Sequence, residues 1–212
     1  MIDFSLYLVT DRSLSKGRSN RAIVEAAAAG GITCVQLREK HCGTREFIHE
    51  AQTLRPLLRE YDLPLIINDR LDVALAVEAD GVHLGQSDMP LAMARRIAGS
   101  SLLICISAES TDDALRAAQE GADYIGISPV FSTPTKSDTA PPLGLAGVSR
   151  IRGLVDLPVV AIGGINHDNA ASVIGAGADG VAVVSAIVSA ADPAEAARTL
   201  KNLVKQALEK KG

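Results

Sequence analysis

Short apolar runs alternate along the whole chain with longer, Ala-rich stretches whose apolar positions recur every three and four residues. The runs predict β-strands at Leu6 to Thr10, Ile32 to Leu37, Leu65 to Ile67, Gly81 to Leu84, Leu102 to Ser107, Tyr124 to Val130, Val159 to Ile162 and Val181 to Ser185. Segments such as Arg21 to Ala29, Arg45 to Arg59, Asp168 to Ile174 and Pro193 to Lys210 predict the helices between and after them. The joints nearly repeat: Ala29-Gly30-Gly31-Ile32, Glu78-Ala79-Asp80-Gly81-Val82, Gly121-Ala122-Asp123-Tyr124-Ile125 and Gly177-Ala178-Asp179-Gly180-Val181, while Leu63-Pro64 and Leu157-Pro158 open two further strands. Glycine supplies a left-handed helix cap, aspartate tolerates the turn, and a β-branched residue starts the strand.

Strands built of unbroken Val, Ile and Leu are covered on both faces, and strict alternation with helices means parallel pairing through right-handed crossovers. Eight such units in 212 residues predict an α/β fold, a (β/α)8 TIM barrel of eight parallel strands forming one catalytic domain over residues 1–212. An open doubly wound sheet would need fewer strands and a Gly-rich turn after the first. Leu8-Val9-Thr10-Asp11-Arg12 offers none.

Composition narrows the partners. The chain is 47% hydrophobic and 22% charged, which excludes disorder; its net charge of −4, without a basic stripe, and its 3% aromatic content argue against nucleic acid. The N-terminus lacks a signal-peptide pattern and no apolar stretch spans a bilayer, so the expectation is a cytoplasmic protein without a membrane partner. Cys34, Cys42 and Cys105 form no CxxC pair and are expected as free thiols, Cys34 and Cys105 within apolar runs. Ala-rich helix faces suit their own barrel or another copy equally, which leaves a homo-oligomer open.

In a barrel the polar residues just past each strand converge on one mouth. Strands two to five deliver Gln36-Leu37-Arg38-Glu39-Lys40, Asn68-Asp69-Arg70, His83-Leu84-Gly85-Gln86-Ser87-Asp88 and Ser107; strands six to eight lead into Thr133-Pro134-Thr135-Lys136, Gly163-Gly164-Ile165 and Val184-Ser185-Ala186. Gly163 and Gly164 admit close backbone approach, and a helix starting near His167 and Asp168 would offer amides to an anion. Together with Ser185, this is where barrels bind phosphate. Asp69 and Asp88 end neighbouring strands, and two facing carboxylates beside lysines suit Mg²⁺ completed by water and phosphate oxygens. Otherwise Asp69 pairs with Arg70 or Arg38, and Asp88 caps the helix after Met89-Pro90. Arg38, Lys40 and Lys136 call for an anionic partner such as a diphosphate. The stretch from about 131 to 144, rich in Ser, Thr and Pro with Lys136 in its middle, has the length of a lid. His83 is read as a pocket-lining or hydrogen-bonded residue; His41, His49 and His167 are peripheral, and no Ser or Cys has the setting of a nucleophile.

Taken in order, these motifs, with Pro129-Val130-Phe131, closely resemble thiamine phosphate synthase, and the match spans nearly the whole chain. The resemblance implies a transferase. It joins 4-amino-2-methyl-5-hydroxymethylpyrimidine diphosphate to a thiazole phosphate (or its carboxylate), releasing diphosphate through a dissociative pyrimidine cation. It implies Mg²⁺ on Asp69 and Asp88. The pyrimidine diphosphate is implied on Gln36, Arg38, Lys40, Asn68, Ser107 and Lys136, and the thiazole phosphate on Thr133, Thr135, Gly164, Val184 and Ser185. Arg38, Lys40, Ser107 and Lys136 would act directly on the reaction. Cys105, Glu109, Ser128 and Ser132 depart from the usual family pattern; extra side chains at Cys105 and Ser128 are expected to narrow the pocket or face outward, and Glu109 to add an anion near Ser107. Rival readings are a thiazole tautomerase, which needs neither diphosphate nor metal, a noncatalytic phosphate-sensing barrel, and a sugar-phosphate epimerase, for which no flanking acid/base pair is evident.

Overall fold

The computed structural model describes residues 2–133 and 140–211. Among them eight strands close into a parallel barrel in chain order: β1 (Leu6–Val9), β2 (Cys34–Leu37), β3 (Leu65–Asn68), β4 (Gly81–Leu84), β5 (Leu103–Ala108), β6 (Tyr124–Ile127), β7 (Val159–Ile162) and β8 (Gly180–Val183), with β8 pairing back onto β1. The helices are α1 (Asn20–Ala29), α2 (Thr44–Glu60), α3 (Leu71–Ala76), α4 (Leu91–Ala98), α5 (Thr111–Gln119), α6 (Gly144–Arg152), α7 (Ala170–Gly175), α8 (Ser185–Val188) and α9 (Pro193–Lys211).

Alternation along the strands sorts the core. Leu6 and Leu8 of β1 join the large apolar layer between barrel and helices, where Phe47, Ala51, Leu54 and Leu58 of α2 supply one helical stripe at spacings of three and four. Tyr7 and Val9 point the other way, into a smaller cluster with Cys34, Ile66, Cys105, Tyr124, Val160 and Ala182 that fills the barrel interior. Phe4 closes the bottom by stacking on Tyr124, ring centroids 4.2 Å apart.

The repeated joints clamp strands in pairs. Asp80, just before β4, accepts the Leu65 N–H of β3; Asp123, before β6, accepts that of Ile104 in β5; Asp179, before β8, accepts that of Val159 in β7. Thr33, before β2, holds Leu6 of β1 in the same way through Oγ1. Each clamp satisfies a backbone donor at the bottom edge that its neighbouring strand does not pair. The recurring Asp is therefore a tie between adjacent strands as well as a turn former.

Strand ends differ from the expectation by two residues or more at β2, β6 and β8, the last ending at Val183 where Ser185 was expected, and by at most one residue elsewhere. β2 starts at Cys34 because Ile32 and Thr33 spend their amides on Ala27 and Leu6 below the ladder. β6 stops at Ile127 because Pro129 has no N–H to donate.

Candidate active site

The C-terminal ends of the strands enclose a cavity of about 380 Å³ to which every strand contributes, from Val9 of β1 and Gln36 of β2 round to Val183 of β8. Its wall brings together Gln36, Arg38, Lys40, Asn68, Asp69, Asp88, Ser107, Thr133, Gly164, Val184 and Ser185, all of them nominated from the sequence. Thr135 and Lys136, with the middle of the expected lid, lie outside the described residues. The two flanks of that stretch are pinned: Leu143 N–H donates to Pro129 and Gly144 N–H to Val130, each at 2.9 Å.

The acids occupy one side. Asp69 follows β3 with φ of 64°, a left-handed conformation held by its N–H donating to His83 O on the adjacent strand β4 at 2.8 Å. Its Oδ2 lies 2.5 Å from Lys40 Nζ. Asp88 Oδ2 accepts the Gly85 N–H at 2.7 Å. Burial lifts the Asp88 carboxyl above the usual carboxylate range; the Gly85 N–H opposes this, the neighbouring Asp69 carboxylate adds to it, and Lys40 counters part of it. The two carboxylates therefore feel one another across the rim.

Two alternatives for these residues are corrected. Asp88 does not cap α4, where Pro90 holds the N-cap position without a side-chain bond, because its carboxylate is spent on the turn back to Gly85. Asp69 pairs with neither Arg70, which grips Asp72, nor Arg38. Arg38 Nη1 instead lies 2.6 Å from Asp11 Oδ2, and Asp11 is 8% exposed. Asp11 was not nominated from the sequence, and its position just past β1, beside the end of β2, was the signal. Glu39 turns away from the cavity to Asn20 and Arg12.

Beneath the rim, His83 Nε2 and Ser107 Oγ share a hydrogen bond at 2.7 Å, and Gln86 Nε2 donates to Ser107 O at 2.5 Å, so the serine is held at both ends. His83 lines the cavity as expected. Ser110 and Asp113 form a capping box at the start of α5, and Asp113 also accepts the Glu109 N–H, which steadies the chain just past Ser107. Of the departures from the family pattern, Cys105 is fully buried inside the barrel, while Ser128 and Glu109 line the cavity. Burial pushes the Cys34 and Cys105 thiols well up, which makes them packing groups rather than nucleophiles. Free thiols are found at all three cysteines.

Opposite the acids, Gly163 and Gly164 take φ of 105° and 66°. The loop is fixed from behind: Asn169 Nδ2 donates to Gly164 O at 3.0 Å, and Asn169 Oδ1 accepts the Asn166 N–H. α7 begins at Ala170, later than expected, because these asparagines fold 166–169 into a turn and leave His167 and Asp168 exposed. Val184 and Ser185 open α8 on the same wall, without a side chain capping its first amides.

This fold and site define a barrel enzyme whose mouth sets acids and cations on one side and a glycine-lined niche on the other. The thiamine monophosphate synthase family model matches residues 6–187. The thiamine-phosphate synthase of Chloroflexus aurantiacus is 57% identical over 210 residues, covering 99% of this chain and 97% of that one; the one from Syntrophomonas wolfei is 52% identical over 201 residues, covering 95% and 96%. The solved structure of thiamine phosphate pyrophosphorylase from Pyrococcus furiosus superposes with a TM-score of 0.91 at 44% identity, covering 97% of this chain and 98% of that one. The chain belongs to the thiamine monophosphate synthase family and is a transferase of thiamine biosynthesis. A 3-hexulose-6-phosphate synthase, 18% identical with a TM-score of 0.71, shares the fold alone. Among the described residues no helix is long and apolar enough to cross a membrane.

Proposed function

We propose that this enzyme couples 4-amino-2-methyl-5-hydroxymethylpyrimidine diphosphate with thiazole phosphate, or its carboxylate, in a Mg²⁺-dependent reaction that yields thiamine phosphate and diphosphate in the cytoplasm. The observation that carries this reading is the division of one cavity: Asp69, Asp88 and Lys40 on one side, Gly164 and Ser185 on the other. Two anionic substrates fit that division.

The residues fit the ion. Burial first, and then the neighbouring Asp69, raise the Asp88 carboxyl, so ionising both acids together is costly, and a divalent cation would relieve that cost. Two carboxylates suit Mg²⁺, an ion that keeps waters and takes substrate phosphate oxygens. Held by Asp69 and Asp88, Mg²⁺ would supply charge neutralisation for the leaving diphosphate.

The chain's own groups do the rest. Arg38, braced by Asp11, has guanidinium donors left for the diphosphate, and Lys40 adds a mobile cation at the same rim. Lys136, outside the described residues, is assigned there by its place after β6 in the sequence and by the resemblance. Gln36 and Asn68, 4% and 7% exposed, hold the pyrimidine ring, and the Ser107 hydroxyl, fixed by His83, meets it from β5. As the carbon–oxygen bond to diphosphate breaks, the electron-rich aminopyrimidine carries the positive charge and the thiazole nitrogen attacks the freed carbon. No protein nucleophile is required, and the catalytic contribution is positioning and electrostatics. Thr133, Gly164, Val184 and Ser185, with Thr135 by resemblance, hold the thiazole phosphate, and a lid over 131–144 would keep water from capturing the cation.

The test is to mix both substrates with the purified protein and follow thiamine phosphate and diphosphate together. Equal amounts of each in Mg²⁺, and neither in chelator, are expected. Product formed at the same rate in chelator would overturn the metal assignment, and no product at all would overturn the reading.

A further inference from the structure

The one-turn helix α8 starts in the cavity wall with Val184 and Ser185, and its other end is gripped by the connection between β1 and α1, residues 10–19. Three hydrogen bonds make the grip. Arg18 Nη2 donates to Val188 O at 2.7 Å, Lys16 Nζ donates to Ser189 O at 2.6 Å, and Ser189 Oγ donates back to Leu14 O at 3.1 Å. The last carbonyls of a helix have no acceptor role inside it, and a positive charge is favoured beside them. Arg18 is tied into its own segment as well, its Nε donating to the O of the buried Ser15 at 3.0 Å. One planar fork thus joins that backbone to the end of α8. Lys16 and Gly17 turn the segment with φ of 55° and 81°, a left-handed conformation that a non-glycine residue keeps only where its surroundings hold it. The reversal delivers both cations to the same end of the helix.

Packing alone does not fix how α8 is turned. Ile187 and Val188 are fully buried, which sets how deep the turn sits, but apolar contact has no direction. The helix's own bonds are few: the Ile187 and Val188 N–H groups both go to Val184 O, and the Ser189 N–H to Ser185 O. The ties at its carboxyl end supply the missing orientation. We propose that Arg18 is a positioning residue, which through Val188 O orients α8 and with it the Val184 and Ser185 groups that receive the phosphate of the thiazole substrate. The inference rests on the phosphate niche read above. Arg18 lies off the cavity wall that the described residues form, so it acts on the substrate through the helix.

The test compares the wild type, Arg18→Ala and Arg18→Lys by three measurements: calorimetric binding of thiazole phosphate with Mg²⁺ and inorganic diphosphate present, steady-state kinetics, and hydrogen exchange over residues 185–189. Arg18→Ala is expected to weaken thiazole phosphate binding and raise its KM about fivefold to tenfold, as befits one hydrogen bond. The kcat and the KM for the pyrimidine diphosphate should stay near wild type, and residues 185–189 should exchange faster while the barrel strands do not. Arg18→Lys keeps the charge and one donor without the fork, and should recover part of the loss. Should Arg18→Ala fail to fold, the lysine variant carries the same comparison. Unchanged thiazole phosphate binding in a folded variant would overturn the proposal. So would a loss shared equally by both substrates, which marks a merely structural role, or a loss without faster exchange, which marks a distant charge. A wild type that binds thiazole phosphate but forms no thiamine phosphate would remove the proposed reaction, while the binding ratio would still decide the role of Arg18. A wild type that does not bind thiazole phosphate would overturn both.

Discussion

Gly164→Ala places a methyl group on the glycine-lined side of the cavity. At φ of 66° an L-residue pays about 1–2 kcal/mol for the left-handed conformation. A Cβ there would also stand 2.8 Å from both Phe131 Cβ and Ser132 O, atoms of the flank that leads into the expected lid. Such overpacking costs about 1–3 kcal/mol when the neighbours must shift. Gly121 is the internal control: it follows α5 with φ of 87°, and a Cβ there meets nothing within 4 Å. Gly121→Ala should therefore pay the first cost alone. The difference, about 1–3 kcal/mol, corresponds to roughly 2–12 °C between the two variants in a chain of this size. Thermal unfolding by circular dichroism, supported by urea midpoints, reads the difference. Steady-state kinetics should show a raised KM for thiazole phosphate in Gly164→Ala, with the KM for the pyrimidine diphosphate near wild type. Equal destabilisation of the two variants would refute the close approach of Gly164 to Phe131, and an unchanged thiazole phosphate KM would refute the niche.

Asp123→Ala removes the acceptor of the Ile104 N–H and the partner of Arg95, and is expected to cost about 1–3 kcal/mol in urea unfolding; Asp123→Asn, which keeps an acceptor, should cost less. Asp11→Ala frees Arg38 from its 2.6 Å partner, and should raise the KM for the pyrimidine diphosphate about threefold to tenfold through lost orientation, with the thiazole phosphate KM unmoved. Lys40→Met removes the cation beside Asp69 and should lower kcat about 10²–10³-fold. It should change the unfolding midpoint little, because an ion pair this exposed contributes about 0–1 kcal/mol.

The barrel was legible because short, unbroken apolar runs and helical stripes recur with the same joint between them, and the order of elements left one closed arrangement. The site residues were legible for a related reason: once the strands are placed, the next few positions must meet at the mouth. Their pairings were not. Arg38 reads as a cation awaiting an anion, yet Asp11, 27 residues earlier, neutralises it, and only the β1–β2 register brings the two together. Asp88 reads as a helix cap by its spacing to Pro90, and the tighter turn to Gly85 takes its carboxylate instead. The hydrogen bonds from Gln36 to Tyr7 and between Tyr7 and Tyr124 join β2, β1 and β6 across the barrel interior, a distance in sequence of 117 residues between the phenols. Inward alternation could have nominated both tyrosines, but not the contact between them. The strand-tying role of Asp80, Asp123 and Asp179 was hidden for the same reason, since the tied amide belongs to the preceding strand.

The acidic rim of Asp69 and Asp88 is expected to gather metal and diphosphate together. Calorimetric titration of Mg²⁺ into the protein, with inorganic diphosphate present, measures this without any turnover. Saturable binding in the wild type that disappears in both Asp69→Ala and Asp88→Ala is the predicted result; binding of equal strength in those variants would contradict it.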